Sequence, residues 1–447
     1  MKTFKMGGVH PNDNKISTNA TIEEFPVPSQ VAVMMSQHLG APATPCVAKG
    51  DKVRVGQLIG KAEAFMCANV HSPVSGTVAK VDGCKDMFGM AKTAVYINVE
   101  GDEWEESIDR TPDIKRACDL QPKEIVEKLK EMGIVGLGGA TFPAHIKYSI
   151  APDKKAEYLI INGVECEPYL TSDHRVMLEH AEEVCVGISI LRKCLGVPTA
   201  YVGIESNKPE PIAKMRETAR QFEGIEIVPL KMKYPQGAEK QLINAITGRC
   251  VPSGKLPIDV GCVVSNIGTT YAVYEAVQKN KPLIENILTV TGKPLAQQHN
   301  YHVRIGVSYA DIIKHAMGEL PENTGKVVSG GPMMGKAMSN LNAPTTKGAS
   351  SILVFDESEA KRGKETACIR CAKCARACPM GLEPYMFSLL VQNGHYEETQ
   401  KHNILDCIEC GCCFYVCPAN KPLTDKIRLG KAKLRAILAA KKANMQR

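Results

Sequence analysis

The chain has 447 residues, 18 cysteines, an ordinary share of apolar residues (44%) and a formal net charge of +7. Length predicts three or four domains, and many cysteines behind an N-terminus with no apolar leader (MKTFKMGGVHPNDN) point to metal or redox use, not disulfides. Nine basic residues and one acid lie between Lys421 and Arg447, so the rest sums to about −1, which excludes a general nucleic-acid binder, and no apolar run reaches the roughly 18 residues that span a membrane.

Residues 1–100 read as an N-terminal arm followed by short strands broken by glycine turns. Val53, Val55, Leu58 and Ile59 fall beside turns at Gly50-Asp51 and Gly56-Gln57, the pattern of a small all-β unit. A charged linker over 101–120 carries the only tryptophan, Trp104. Residues 121–286 alternate: a helix over Pro122–Met132, a strand over Tyr158–Val164, a helix over Met177–Leu195, a strand over Ala200–Ile204, a helix over Pro211–Phe222 and a strand over Ile225–Leu230. That alternation predicts an α/β domain. Over 287–355 the runs LTVTG, KVVSG and SILVF surround one short helix, Tyr309–Met317, and suggest a β-grasp unit. Residues 356–447 are cysteine-rich, mostly helical, and end in a basic helix.

Two runs in that last segment share one pattern, C-x2-C-x2-C-x3-C-P: Cys368, Cys371, Cys374, Cys378-Pro379 and Cys407, Cys410, Cys413, Cys417-Pro418. Three thiolates at this spacing wrap three irons of one [4Fe–4S] cubane, and the fourth serves the other cluster. The reading therefore places Cys368, Cys371, Cys374 and Cys417 on one cluster and Cys378, Cys407, Cys410 and Cys413 on the second. Zinc knuckles would use paired C-x2-C motifs without the Cys-Pro pairs. The 28 residues between the runs read as helical, with Pro384 in a first helical turn. Cys412 reads as a packed bystander, and the nine cysteines outside this region as core filler.

Gly136 to Pro143 (GLGGATFP) is a glycine-dense loop of the kind that exposes backbone N–H groups to phosphate, although a tight structural turn is the commoner use. It is no dinucleotide fingerprint, because Thr141 stands where a third glycine belongs and a helix precedes it. Three further polar clusters close apolar runs: Asn162–Pro168 (NGVECEP), Tyr234–Glu239 (YPQGAE) and Val264–Thr269 (VSNIGT). In α/β domains such positions carry ligand-binding loops.

These four segments, in this order, resemble the flavin- and NADH-binding subunit of respiratory complex I and its soluble diaphorase relatives. The resemblance implies non-covalent FMN, with NAD(H) as substrate. Gly136, Gly138, Gly139 and Ala140 would approach FMN and nucleotide, Phe142 would stack on adenine, and Lys147 would neutralise phosphate. Asn162, Glu165, Tyr234, Gly237, Glu239 and Asn266 would lie around the flavin and Glu167 at the adenosine end. Val164 and Ala238 depart from the family, which has acids there. The first hundred residues resemble the barrel-sandwich fold of biotinyl and lipoyl carriers. Their hairpin-tip lysine is missing from Ala64-Phe65-Met66-Cys67, so a scaffold is expected and not a swinging arm.

The order of units, with the start FKMGGVHP, is similar to the C subunit of the Rnf electron-transport complexes. That implies a peripheral subunit on the cytoplasmic face of a membrane complex, beside integral membrane subunits and a ferredoxin-like subunit, passing electrons between ferredoxin and NAD with coupled ion transport. No side chain is required as a catalytic acid or base, so Glu165, Glu167 and Glu239 read as positioning groups. Two alternatives stand: a soluble flavin and iron–sulfur reductase of the cobalamin-reductase kind, and a scaffold that only wires two clusters. In the tail, Leu423, Ile427, Leu434, Ile437 and Leu438 share a helical face. Lys426, Lys431, Lys433, Arg435 and Lys441 offer a basic side that either faces solvent or docks on a membrane partner or anionic headgroups.

Overall fold

Short β-branched runs build the first layers of the computed structural model, which describes residues 1–445. A four-stranded antiparallel sheet runs in the order Gln30–Met34, Ala91–Val99, Gly76–Lys85, Lys52–Val53, and a three-stranded one pairs Thr44–Pro45, Leu58–Lys61 and Val70–His71. Val31 and Val33 face the core between exposed Gln30 and half-buried Ala32, and Met34 is buried on the other face with Cys84 and Ala94. The carrier-type tip is an exposed bend at Ala64–Met66, with Phe65 82% exposed.

The second layer is a wholly parallel sheet in the order Ile225–Leu230, Ala200–Glu205, Tyr158–Asn162, Cys262–Asn266. Its central strand is apolar on both faces: Leu159 and Ile161 enter one hydrophobic cluster and Ile160 another. Helices Pro122–Glu131, Ala181–Leu195 and Ile267–Gln278 pack on the first face. The expected single helix Met177–Leu195 is two helices, Ser172–Glu179 and Ala181–Leu195. His180 leaves helical geometry (φ −124°, ψ 34°), and Glu182 and Glu183 then favour a fresh N-terminus.

A six-stranded mixed sheet follows in the order Ile22–Glu24, His299–Arg304, Glu285–Thr291, Ser351–Asp356, Thr324–Ser329, Lys336–Ala337, with helix Tyr309–Met317 against it. Its edge strand, Ile22–Glu24, comes from the N-terminal arm and pairs in parallel with Asn300–His302. The six-stranded sheet and the N-terminal sheets also share one core, in which Val31, Ile59 and Val95 join Leu288, Tyr301 and Ile352.

The C-terminal module packs helix Pro384–Gln392, with its proline in the first turn, against helix Leu423–Met445. Phe387, Ile404, Leu423, Ile427 and Leu434 fill the space between them. Gly430 permits close approach, since a Cβ there would lie 2.6 Å from Val391 Cγ2. This takes Lys431 off the expected basic side of the tail, while Lys433, Arg435 and Lys441 are exposed as a solvated side requires. Lys431 is buried and donates to the Cys407 carbonyl at 2.7 Å and to Glu409 at 2.6 Å, while Lys426 pairs with Glu365 at 3.3 Å. Lys441 pairs with Glu397 at 2.5 Å. The helix is a structural wall of the cysteine module, and removing it would open that core.

Candidate functional site

The order of the parallel sheet places its switch point between strands Tyr158–Asn162 and Cys262–Asn266, whose last residues, Asn162 and Asn266, are register partners. Ligands of open α/β sheets bind outside the carboxyl ends of strands at such a point. The glycine loop arrives there from the preceding helix. Val135 bridges Pro143, and Gly136 N–H donates to the Phe142 carbonyl at 2.9 Å, so the loop is closed at its neck with Phe142 half-buried there. Leu137 N–H donates to Thr269 Oγ1 at 2.8 Å, and the Gly138 backbone lies against the Asn266 side chain. Gly138, Gly139 and Ala140 are exposed. Thr141 holds φ +50°, an unusual state for a β-branched residue, and its carbonyl accepts Leu39 N–H from the barrel-sandwich at 3.2 Å.

Asn266 caps helix Ile267–Gln278 by accepting Thr269 N–H at 3.1 Å, and its amide donates to Asp173 Oδ2 at 2.7 Å. Asp173 N–H in turn donates to Glu165 Oε1 at 2.8 Å. Glu165 has φ +46°, and its Oε2 is buried without a hydrogen-bond partner, 3.7 Å from Lys15 Nζ. Two cations balance the acids from below. Lys15 Nζ donates to the carbonyls of Glu165, Glu167 and Leu170, and the buried Lys208 Nζ donates to Val164 O at 2.8 Å.

Burial, and then the Glu165 charge, push Asp173 from the usual 3.8 to about 7, against the pull of Asn266, Lys208 and Lys15. The folded chain therefore holds an extra proton between about pH 4 and pH 7, and Asp173 costs stability increasingly as pH rises through that window. Asp173→Asn keeps the acceptor for Asn266 and removes the charge. Its thermal midpoint should exceed that of the unaltered protein at pH 8 by an amount that shrinks toward pH 4. With one unit worth about 1.4 kcal/mol, the gain is a few kcal/mol at most. An equal difference at both pH values would refute the assignment.

On the other side of the strand ends, Asn162 Nδ2 donates to the Gly237 carbonyl at 2.8 Å and Gly237 N–H points to Cys166 Sγ at 3.4 Å. Lys147 Nζ pairs with Glu239 at 3.0 Å and donates to Val264 O at 3.0 Å. Both side chains of the pair remain partly exposed. Glu167 and Tyr234 do something different from what their positions in the motifs suggest. Glu167 accepts Met333 N–H at 3.0 Å, Met334 N–H at 2.8 Å and Tyr234 O–H at 3.2 Å, so both oxygens are engaged inside the protein. Tyr234 is buried and its hydroxyl also donates to the Cys410 carbonyl at 2.8 Å. Tyr234 thus ties the strand-end loops to the cysteine module, and Glu167 ties them to the Met333–Met334 turn. Asp173, Lys15, Lys208 and Cys166 were not singled out from the sequence; only the fold brings them to the motifs.

In the cysteine module Cys378, Cys407, Cys410 and Cys413 line one cavity, together with Cys412, Pro379, Phe387 and Ile427. The first four cysteines are those that the spacing groups on one cluster. Of the other set, Cys374 and Cys417 are half-buried against the same core, Cys371 is half-buried and Cys368 is exposed. Cys412 is fully buried with Sγ 3.9 Å from the Tyr234 carbonyl, a packed neighbour as expected. The core-filler reading of the scattered cysteines fails at Cys46 and Cys250, which are exposed, and at Cys166, which lies beside Gly237.

The comparisons with known proteins match this geometry. Residues 129–275 match the Nuo51 FMN-binding domain, residues 2–102 the RnfC barrel sandwich hybrid domain and residues 361–419 a 4Fe-4S dicluster domain. Over 99% of its length the chain is 46% identical to the C subunit of the proton-translocating ferredoxin:NAD(+) oxidoreductase complex of Clostridium ljungdahlii, covering 96% of that protein. The chain belongs to this RnfC family. The C subunit of the Na(+)-translocating complex from Acetobacterium woodii is 40% identical over 97% of both chains. That of the ion-translocating oxidoreductase complex of Rhodobacter capsulatus is 39% identical over 96% of this chain and 82% of its own. The match to the FMN-binding domain holds the glycine loop and all three strand-end loops, and the match to the dicluster domain holds all eight cysteines of the two runs. The residues present fit both groups: an open glycine loop, a buried carboxylate oxygen on Glu165 that makes no hydrogen bond, and a cavity lined by four cysteines of the two runs beside Cys412.

Proposed function

We propose that this chain is the peripheral FMN and iron–sulfur subunit through which an ion-translocating complex exchanges electrons between NAD(H) and ferredoxin. It would sit on the cytoplasmic face, beside integral membrane subunits and a ferredoxin-like subunit. No helix among the described residues is long and apolar enough to cross a membrane, and we assign the ion path to the partners. The observation that carries the reading is Tyr234, whose hydroxyl bridges Glu167 of the flavin-domain loop and the carbonyl of Cys410. The redox-type loops and the cysteine cavity are thereby built against each other. We divide the chain at 1–100, 101–120, 121–286, 287–355 and 356–447, with the arm as an outlier to the first unit.

In this reading Gly136, Gly138, Gly139 and Ala140 hold the cofactor through backbone, and Asn162, Gly237 and Asn266 orient it at the strand ends. The first-turn amides of helix Ile267–Gln278 favour an anionic group nearby. Lys147 and Glu239 supply a polar pair that opens toward nucleotide, and Phe142 an aromatic edge. Glu165 offers the oxygen that makes no hydrogen bond as an acceptor. Cys368, Cys371, Cys374 and Cys417 would hold one cluster and Cys378, Cys407, Cys410 and Cys413 the other. When bound, a flavin supplies the exchange between a two-electron hydride donor and one-electron clusters. The protein prepared anaerobically should contain about eight irons and eight acid-labile sulfides, together with non-covalent FMN, and should reduce dyes with NADH. Full iron without flavin or NADH-dependent reduction would leave only the wiring scaffold.

A further inference from the structure

The opening FKMGGVHP motif has no part in either binding set, yet its residues lie where the flavin domain and the cysteine module meet. Lys2 extends the edge of the parallel sheet at Leu230, and Phe4 is buried beneath it. Val9 exchanges two backbone hydrogen bonds with Tyr234, at 2.8 and 2.9 Å. Between them Gly8 N–H donates to the Ala377 carbonyl at 2.9 Å, in the cysteine module.

Two adjacent glycines make this contact possible. Gly7 (φ +64°) and Gly8 (φ +90°) are both left-handed, and conformation alone would explain glycine there. Space adds a second demand. A Cβ on Gly7 would overlap the Cys378 carbonyl and come within 2.8 Å of the Ala377 oxygen. A Cβ on Gly8 would reach 2.7 Å from the Phe4 ring and 2.9 Å from the Tyr234 carbonyl. Gly50 and Gly89 also have positive φ, yet nothing lies within 4 Å of a Cβ at either. The pair at 7–8 therefore serves a close approach as well as a turn.

We propose that the N-terminal arm is a strap that sets the position of the Cys378 cluster relative to the flavin domain, with Gly7 as its positioning residue. The strap grips that cluster's cavity from two sides. Gly7 and Gly8 lie on the peptide leading into Cys378, and Val9 holds the backbone of Tyr234, whose hydroxyl holds Cys410. Beyond this point Lys15 fixes the Glu165–Leu170 loop, so one stretch of chain is tied to both binding sets. The inference rests on Cys378 ligating the second-run cluster.

Gly7→Val tests it, with Gly89→Ala as a control in open space. The variant should retain FMN and NADH-dependent dye reduction. The EPR spectrum and midpoint potential should shift for the cluster that Cys407→Ala removes, but not for the other. Reduction of that cluster by NADH should be lost or delayed. An unchanged spectrum, potential and reduction rate would overturn the proposal. The unaltered protein gives an independent reading: the Gly8 and Val9 amides should exchange hydrogen as slowly as those of strand Ala200–Glu205. Exchange typical of a loose terminus would overturn the strap even if Gly7→Val fails to fold. Should Cys378→Ala leave both clusters intact, the ligand assignment falls, while the exchange result still decides whether the arm is fastened.

Discussion

Replacing Cys378 with alanine should remove the cluster of Cys407, Cys410 and Cys413 and leave the other EPR signal in place, whereas Cys374→Ala should do the reverse. Each variant would fall from about eight irons to about four. The expectation crosses the sequence order, because Cys378 stands four residues from Cys374 and nearly thirty from Cys407. Its basis is spatial. Cys378 is buried in the cavity lined by Cys407, Cys410 and Cys413, and no other cysteine of the first run lines that cavity. Cys374 does not line it and is half-buried against the module core, as is Cys417 of the other run. Truncating Cys378 loses little buried apolar surface, so packing alone would not unfold the module. If both substitutions erase the same signal, each run serves its own cluster and the exchange of fourth ligands is wrong. Zinc in place of iron after anaerobic preparation would end the cluster assignment altogether.

What could be read in advance was local. The cysteine spacing, the proline-led helix at Pro384 and helix Tyr309–Met317 are each determined by residues within a few positions of one another, and each is found in the fold. The glycine loop and the three strand-end loops were visible as motifs because glycine and polar residues interrupt apolar runs. What they touch was not. Ile22–Glu24 pairs with residues nearly 280 positions away, and a three-residue polar edge strand has no periodicity to announce it. Glu167 and Tyr234 stand in redox-type motifs, yet their polar atoms are occupied by Met333, Met334 and Cys410. Asp173 looks like any acid in a first helical turn until the sheet brings Asn266 and Glu165 to it. Lys431 sits on the apparent basic side of a helix, and only the packed module shows it donating to Cys407. In each case a long-range partner decides the role, and composition or spacing along the chain does not encode the partner.

Gly138→Val should cut NADH oxidation by about 100-fold or more, the scale expected when reacting groups are misplaced by an ångström, while both cluster signals persist. Gly138 does not have a left-handed backbone, so the cost is one of space and not of strain. A Cβ there would lie 3.1 Å from Asn266 Cβ and 3.5 Å from its Cγ, a gap that alanine needs only a small shift to enter. Valine adds two more carbons on that Cβ. Either the glycine loop must lift or Asn266 must give way, and Asn266 is already committed to Thr269 N–H and Asp173. Losing that cap would itself cost about 1 kcal/mol, too little to unfold the domain but enough to disorder the strand end at which FMN is proposed to bind. Gly138→Ala should therefore lie between the two. The cluster signals should persist because the cysteine module meets the flavin domain at Tyr234 and at Gln241, whose amide donates to the Pro379 carbonyl, and not at Gly138. FMN content, NADH-dependent dye reduction and the EPR of dithionite-reduced protein separate the outcomes. Normal NADH oxidation in Gly138→Val would place the nucleotide site away from this loop, and loss of both cluster signals would mean that the substitution unfolds more than the strand end.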